Sequence, residues 1–288
     1  MTENNNVLSQ DLSSEAKYSG VYMMNLLFRE KCASPSIDMM VEKLKERFGG
    51  VDIVGDKTNL SSFALSDHTI TYEGGKKAPS MVIITECESI EKPLGDEVAR
   101  TQFWDCPNGV ELLDSCSWQV MIGDFMARGL PALERAEILA DWLEIALELF
   151  PSCVAVYFQA SAKLLTAEQL KDNPYSGALR FFYGGVNARF FNIQGTNDIL
   201  VDTLGMYAVG LPDMQYHFHT LSPNEVVNHA YNTAIYQFEN DAPIKQDDTI
   251  QGLDSESKWK CQYESALIQP KRDVLDINTG EYAAGNRK

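Results

Sequence analysis

The sequence predicts an α+β fold built from two similar halves, each with the order strand–helix–strand–strand–strand–helix. Short apolar, strand-like segments alternate with amphipathic helices along the chain of 288 residues. Several strand candidates follow one another between the helices, which favours antiparallel or mixed sheets over a doubly wound parallel sheet. We therefore expect layered antiparallel or mixed sheets packed with helices.

The predicted N-terminal half covers residues 20–110. Its helix begins after Pro35, where Ile37, Val41, Leu44 and Phe48 recur at helical spacing. Gly49 and Gly50 then end the helix. The other predicted elements of this half are strands at 21–28, 51–54, 63–72 and 81–86 and a short helix at 95–104.

The predicted C-terminal half covers residues 111–277, and its clearest helix is 223–239. Ser222 is a suitable N-cap, Pro223 fits the first turn, and Glu225 lies three residues after the cap. The remaining predicted elements are strands at 118–126, 153–158, 180–193 and 199–208, helices at 131–150 and 166–171, and a strand that begins at Trp259. The apolar strands 21–28, 81–86, 118–126 and 153–158 are expected to be central.

The two ends of the chain are polar. Residues 1–19 are rich in Asn and Ser and are predicted to be a flexible leader, whereas residues 278–288 are predicted to be a loose tail. No secretory signal and no apolar run long enough to span a bilayer is visible. Six cysteines occur without a CxxC pair, which favours reduced thiols and a cytoplasmic location.

The charge balance excludes two classes of partner. Asp and Glu number 41 against 24 Lys and Arg, which gives a formal net charge of −17. This excess of negative charge would repel phosphate backbones and anionic lipid headgroups. We therefore expect no nucleic-acid partner and no membrane partner, and the sequence leaves the oligomeric state open.

The predicted helix 131–150 carries a row of acidic residues, here called the acidic stripe. Its members recur at spacings of 3, 4, 3 and 4 and are Glu134, Glu137, Asp141, Glu144 and Glu148. Like charges at these spacings destabilise an isolated helix. Two interpretations remain open, a solvated helix face and a docking surface for a basic protein partner.

The sequence contains no recognised catalytic or cofactor-binding motif. A Walker phosphate loop, a dinucleotide fingerprint, a GxSxG elbow, an HExxH pair, an EF-hand loop and a kinase signature are all absent. We expect no cofactor, and this absence favours a protein that is not an enzyme.

One candidate polar site remains, formed by Asp202, Asp213, His217 and His219. Alternation in the segment 214–219 places both histidines on the same face of a strand, where they could chelate a metal together with the carboxylates. His229 on the following helix could add a third nitrogen. We nevertheless expect no bound metal, because the helix should pack on the opposite, apolar face, and both histidines should then titrate near their ordinary pKa.

Parts of the chain resemble a known bacterial family, the domain-of-unknown-function family 4261. The resemblance lies in VDTLGMYAVGLPDMQYHF at 201–218, NEVVNHAYNTAIYQFEND at 224–241 and IQG at 250–252, and it is weaker in RAEILADWLEIALELFPSCVAVYF at 135–158. It implies a bacterial, cytoplasmic, single-chain protein. It implies no activity, cofactor or catalytic residue.

These observations favour a non-catalytic binding or protein-interaction module. The net charge, the acidic stripe and the missing catalytic motifs support this hypothesis. The alternative is a metal-dependent, hydrolase-like enzyme built around the Asp and His cluster of the candidate polar site.

Overall fold

A computed structural model of the chain describes residues 7–13, 20–57 and 59–287, apart from the side chain at position 57. These residues form two compact units, which we call the N-terminal unit (20–57 and 59–185) and the C-terminal unit (7–13 and 186–287). Each unit combines helices with one β-sheet, so the predicted α+β fold is confirmed. No helix in the described residues is both long enough and apolar enough to cross a membrane.

The N-terminal unit contains one antiparallel sheet. Its strands are β1 (Met23–Phe28), β2 (Val51–Lys57), β3 (Leu60–Thr71), β4 (Lys77–Thr85), β5 (Glu88–Ser89), β6 (Trp118–Phe125), β7 (Ala155–Phe158) and β8 (Lys163–Thr166). Their order in the sheet is β2-β3-β4-β6-β1-β7-β8, and β5 pairs with β6 beside β4. The four strands expected to be central do lie next to one another as β4, β6, β1 and β7.

The boundary that the sequence analysis placed between residues 110 and 111 lies inside this unit. Strands β6 and β7, from the predicted C-terminal half, pair on either side of β1, from the predicted N-terminal half. The two predicted halves therefore share one sheet and do not form two repeated bodies. Strands that pair across about a hundred residues leave no local signal in the sequence. The order of elements along the chain therefore did not reveal that β1 pairs with β6 and β7.

The N-terminal unit also contains helices, which lie between the strands or after them along the chain. They are α1 (Ile37–Phe48), α2 (Glu97–Arg100), α3 (Gly109–Asp114), α4 (Ala132–Leu149), α5 (Ala167–Lys171) and α6 (Leu179–Gly185). The strand predicted at 180–193 is wrong in its first part, because α6 occupies these residues up to Gly185 and the strand begins only at Asn187. Phe181 and Phe182 are both buried, and a short aromatic run of this kind fits a helix as well as a strand.

The C-terminal unit contains a six-stranded mixed sheet and one long helix. Its elements are β9 (Asn187–Asn192), β10 (Ile199–Leu204), β11 (Asp213–Phe218), α7 (Pro223–Glu239), β12 (Thr249–Gln251), β13 (Lys258–Ser265) and β14 (Asp273–Asn278). The strand order is β12-β13-β14-β11-β10-β9, with β11 and β14 parallel. The strand predicted at 199–208 ends at Leu204, because Gly205 adopts a φ of 137° and a single 3₁₀ turn follows.

Helix α7 begins at Pro223 and ends at Glu239, as the sequence predicts. Its buried face includes Val226, Ala230, Ala234 and Phe238, and it packs against β9, β10 and β11. Strand β11 is buried on both of its faces. A helix therefore covers one face of the sheet, and the polar face of β11 is enclosed by other parts of the chain.

The two ends of the chain are docked where the structure describes them. Residue Ser9 forms a parallel bridge with Asn286, and the amide of Gln10 donates to the Asn286 carbonyl at 2.9 Å. Ala284 donates its amide to the His217 carbonyl at 3.0 Å. The predicted leader is thus ordered over residues 7–13, and the predicted tail is not loose over residues 278–287. Polar composition indicated disorder, but it carries no information about backbone pairing with a distant strand.

Candidate functional site

Asp202 and Asp213 belong to a buried ion-pair network in the C-terminal unit. Arg272 donates from Nη2 to Asp202 at 2.7 Å and from Nε to Asp213 at 2.9 Å. Arg189 adds a bidentate pair with Asp202, at 2.8 and 2.6 Å. All four side chains are buried. Burial raises the pKa of Asp213, and the charge of Arg272 opposes that rise.

The hydrogen-bonding capacity of Arg272 is fully used inside the protein. Besides the two carboxylates, its guanidinium donates to the carbonyls of Thr203, Ile268 and Pro270 at 2.8 to 3.0 Å. These bonds account for all five N–H donors of an arginine. Arg272 therefore has no donor left for a ligand.

His217 lies on the polar face of β11 but does not join the network of Asp202 and Asp213. Its Nε2 is 3.6 Å from the Asp198 carboxylate, and Gly285 packs so closely that a Cβ there would lie 2.7 Å from the imidazole ring. Burial lowers the pKa of His217, although Asp198 opposes this effect. The expectation of an ordinary pKa for His217 is therefore wrong, because the docked C-terminal segment covers the ring.

His219 lies outside the strand that was expected to carry it. Strand β11 ends at Phe218, and Thr220, with a φ of 69°, turns the chain away. The Nδ1 atom of His219 is 2.8 Å from the Thr220 hydroxyl. The four residues of the candidate polar site thus do not converge. Among the described residues, no group of three or more His, Cys, Asp or Glu side chains is arranged to hold a metal ion.

Cations of the N-terminal unit itself neutralise most of the acidic stripe. Arg47 bonds Asp141 at 2.5 Å and Glu144 at 2.9 Å, and Arg180 bonds the same two carboxylates at 2.7 and 2.6 Å. Lys43 bonds Glu148 at 2.9 Å. The stripe therefore joins helices α1, α4 and α6 within the fold, which weakens the interpretation that it serves as a docking surface.

This arrangement predicts different effects for two neighbouring carboxylates of the acidic stripe. Glu144→Gln should lower the free energy of unfolding by about 0.5–1 kcal/mol, because it removes two partly exposed ion pairs. Glu137→Gln is the matched control and should change stability little, because Glu137 is exposed. Urea unfolding of both variants measures the difference. Equal losses for the two variants would contradict a structural role for the stripe.

An open cleft of about 600 Å³ lies in the C-terminal unit, and it is the best candidate for a binding site. Ligand sites are commonly concave and of this size, with mixed apolar and polar linings. Helix α7 and the segment from Pro243 to strand β12 form its walls. The residues that line it are His229, Asn232, Thr233, Tyr236, Pro243, Ile244, Asp248, Thr249, Ile250 and Gln251.

His229 connects the two walls of the cleft. Its Nε2 lies 2.9 Å from the carbonyl oxygen of Gln251, and its Nδ1 lies 2.8 Å from the hydroxyl of Tyr216. Because a carbonyl only accepts, Nε2 carries the proton and Nδ1 accepts from the tyrosine. Burial lowers the pKa of His229. The imidazole is thus held in one neutral tautomer.

Two aromatic side chains pack against the imidazole ring of His229. Its ring centroid is 5.0 Å from that of Trp259 and 5.6 Å from that of Tyr216. Gly252 lies so close to Trp259 that a Cβ would come within 2.7 Å of the indole. The loop after β12 therefore has no room for a side chain at this position.

Strand β12 forms one edge of the six-stranded sheet, and its outer side faces the cleft. The Asp248 carbonyl accepts from Cys261 at 2.8 Å, and the Gly252 amide donates to Ser257 at 2.8 Å, both toward β13. Alternate residues of an antiparallel strand point their backbone groups in opposite directions. Thr249 and Gln251 therefore direct theirs outward, where the Gln251 carbonyl meets His229.

Acidic residues dominate the segment that flanks the cleft. Residues 239–256 contain six Asp and Glu side chains and one lysine, Lys245. Asp248 belongs to the lining itself, and Tyr236 is an exposed aromatic side chain beside it, with 52% of its surface accessible. The site thus combines an acidic side chain in its lining, an exposed aromatic side chain and a strand edge on which the Gln251 carbonyl is bonded to His229.

Comparison with known families bears on this part of the chain. Residues 202–278 match the family model of a domain of unknown function (DUF4261). The match confirms the resemblance expected for the C-terminal part of the chain. Comparisons with curated proteins and with solved structures gave no match. The DUF4261 match includes Asp202, Asp213 and Arg272 of the buried ion-pair network, but not Arg189, and it includes the whole lining of the cleft.

Few of the residues that form the cleft were predicted from the sequence. His229 was considered only as a possible metal ligand, and no strand was predicted at 249–251. The available signal was the IQG segment within the resemblance to DUF4261, since Ile250 and Gln251 line the cleft and Gly252 packs against Trp259. A three-residue strand is too short for a periodic pattern to reveal it.

Proposed function

We propose that the protein is a non-catalytic interaction module whose cleft binds an extended, basic segment of a partner protein. The observation that carries this proposal is the position of the cleft, which has the outer edge of β12 as one wall. An extended peptide adds to such an edge through backbone hydrogen bonds, and side-chain pockets then supply specificity. Cytoplasmic location in a bacterium forms part of the proposal.

Charge and shape support a basic occupant. The formal net charge of −17 and the six acidic residues of segment 239–256 favour cationic partners by long-range attraction. Tyr236 provides a partly exposed aromatic surface of the kind that anchors peptides. The cleft, rather than the internally paired acidic stripe, is thus the proposed place for the basic partner that the sequence analysis expected.

A peptide titration tests this proposal. A fluorescently labelled peptide of alternating lysine and valine should bind the full chain with a dissociation constant in the micromolar range, as measured by fluorescence anisotropy. Binding should weaken as salt increases, because the acidic side chains of segment 239–256 are exposed and their charges are screened. The peptide in which glutamate replaces lysine should bind at least about tenfold more weakly. Equal binding of both peptides, or of neither, would contradict the proposal.

Variants at the strand edge separate specific docking from general attraction. Thr249→Pro removes an outward amide at the first residue of an edge strand, a position where proline is tolerated. We expect it to weaken binding by about tenfold, whereas Thr249→Val keeps the amide and should bind normally. Tyr236→Ala should also weaken binding without unfolding the chain. If Thr249→Pro binds as well as Thr249→Val, addition to the β12 edge is wrong.

A further inference from the structure

Four of the six cysteines lie at one edge of the sheet in the N-terminal unit. Strands β1 and β4 run in the same direction because both pair antiparallel with β6, and β7 runs opposite to β1. The ends of β1 and β4 and the beginnings of β6 and β7 therefore meet at this edge. Cys32 and Cys87 follow β1 and β4, whereas Cys116 and Cys153 precede β6 and β7.

Within this group, Cys32 and Cys87 are in direct contact. The backbone amide of Cys32 donates to the Cys87 sulfur at 3.3 Å. Cys32 is partly exposed, whereas Cys87 is buried directly behind it with 7% of its surface accessible. An external reagent can thus reach the first thiol, and the second lies within reach of the product.

We propose that Cys32 and Cys87 form a redox-modification site, closing reversibly to a disulfide by exchange with a low-molecular-weight disulfide. The Cys32 thiolate attacks the reagent, so that a bond from its Sγ to one reagent sulfur forms and the other sulfur leaves as a thiolate. The Cys87 thiolate then attacks Cys32 Sγ and releases the second thiolate. Two cysteines are oxidised, one disulfide is reduced to two thiols, and the two cysteine protons pass to the leaving thiolates.

The surroundings of the pair assign these roles. The Cys32 backbone amide holds the Cys87 sulfur beside Cys32, and this contact does not depend on the Cys32 thiol. Burial, and next the neighbouring Cys87 thiol, raise the pKa of Cys32 to about 12. Because the thiolate is the nucleophile, the first step should be slow at neutral pH and should accelerate with increasing pH.

Cys153 is the competing partner, because it also lies near Cys32. Its thiol donates to the Ala155 carbonyl at 3.2 Å, and burial raises the pKa of Cys153 to about 12. Its thiol hydrogen is therefore already bonded to the first residue of β7. Cys87, which receives the Cys32 amide, is the better resolving thiol.

Peptide mapping tests the proposal. The reduced full chain is incubated with oxidised glutathione at pH 7 and pH 9, alkylated, digested with trypsin and analysed by mass spectrometry. Cleavage at Lys31, Lys43, Lys77 and Arg100 places Cys32 and Cys87 on separate peptides. We expect one cross-linked pair of these peptides, formed faster at pH 9 and released by dithiothreitol.

Serine variants assign the two steps. Cys87→Ser should stop at glutathione bound to Cys32, with at least tenfold more mixed disulfide than the wild type, and Cys32→Ser should leave Cys87 unreacted. Cys153→Ser is the matched control and should cross-link normally. The proposal is overturned by a Cys32–Cys153 cross-link, by a stable mixed disulfide in the wild type, or by no reaction at pH 9. Oxidised wild type should also melt at a higher temperature, because the bond closes a loop containing α1 and β2–β4.

Discussion

Arg272→Met should lower the free energy of unfolding of the C-terminal unit by about 3–5 kcal/mol. Methionine replaces most of the arginine stem but none of its charge. Asp202 and Asp213 are both fully buried, and each loses its bond to the guanidinium. Hydrogen exchange of the β11 amides in the full chain measures the loss, because these amides report on opening of this unit.

Two further variants identify the cause of that loss. Lys260→Met removes an exposed ion pair with Asp247, at 2.6 Å, and should cost less than about 1 kcal/mol. Adding Asp202→Asn and Asp213→Asn to Arg272→Met should recover part of the stability, because the buried charges are then gone. A loss below about 1 kcal/mol for Arg272→Met alone would show that the network is not required for the fold.

The effect of Arg272→Met should also depend on pH. Burial already raises the pKa of Asp213, and without Arg272 the charge that opposes this rise is gone, so the folded-state pKa moves further above the unfolded-state value. The folded variant then binds more protons than the unfolded chain, so its stability falls as pH rises through that range. The difference from the wild type should therefore be larger at pH 7 than at pH 5. A difference that does not change with pH would point to lost packing instead of uncompensated charge.

Sequence periodicity predicted the elements of this fold better than their pairing. Helix α7 lies where Ser222 and Pro223 indicate its start, and the four most apolar strands are adjacent in one sheet. Position 110 was nevertheless a wrong boundary, because apolar strands look alike whichever neighbour they pair with. Only the folded chain shows that β6 and β7 enclose β1.

The candidate polar site shows the same limit at the level of side chains. Asp202 and Asp213 were considered from the sequence only as carboxylates that could join the two histidines at a metal site. Their partner Arg272 lies about sixty to seventy residues further along the chain, and no local spacing links it to them. A carboxylate can pair with a metal or with an arginine, and only the folded chain shows that these two carboxylates pair with Arg272.

Glu264 should make the stability of the C-terminal unit fall as pH rises through the range from 4.5 to 8. Burial, and next the charge of Asp276, raise the pKa of Glu264 from 4.5 to about 8. Its Oε1 accepts from Gln215 at 2.8 Å, whereas its buried Oε2 has no hydrogen-bond partner among the described residues. A negative charge there is therefore poorly compensated, although Arg287 pairs with Asp276 nearby.

The sign of this effect follows from proton linkage. The folded state holds the Glu264 proton up to about pH 8, whereas the unfolded chain releases it near pH 4.5. The favourable contribution is thus complete below pH 4.5, decreases between the two values and is lost above about pH 8. The difference between the two pKa values sets an upper limit of about 5 kcal/mol on the change.

Glu264→Gln tests this prediction, because glutamine resembles the neutral acid and cannot ionise. The variant should match the wild type in stability near pH 5 and exceed it by about 1–3 kcal/mol at pH 9, where the wild type carries the uncompensated charge. Urea unfolding at several pH values measures both curves, and Glu256→Gln serves as the exposed control with no such divergence. Parallel curves for the wild type and Glu264→Gln between pH 5 and pH 9 would show that Glu264 is already ionised in the folded protein. In that case, charged or polar groups other than hydrogen-bond partners of Oε2 must compensate the charge of Glu264 on the polar face beneath the docked ends of the chain.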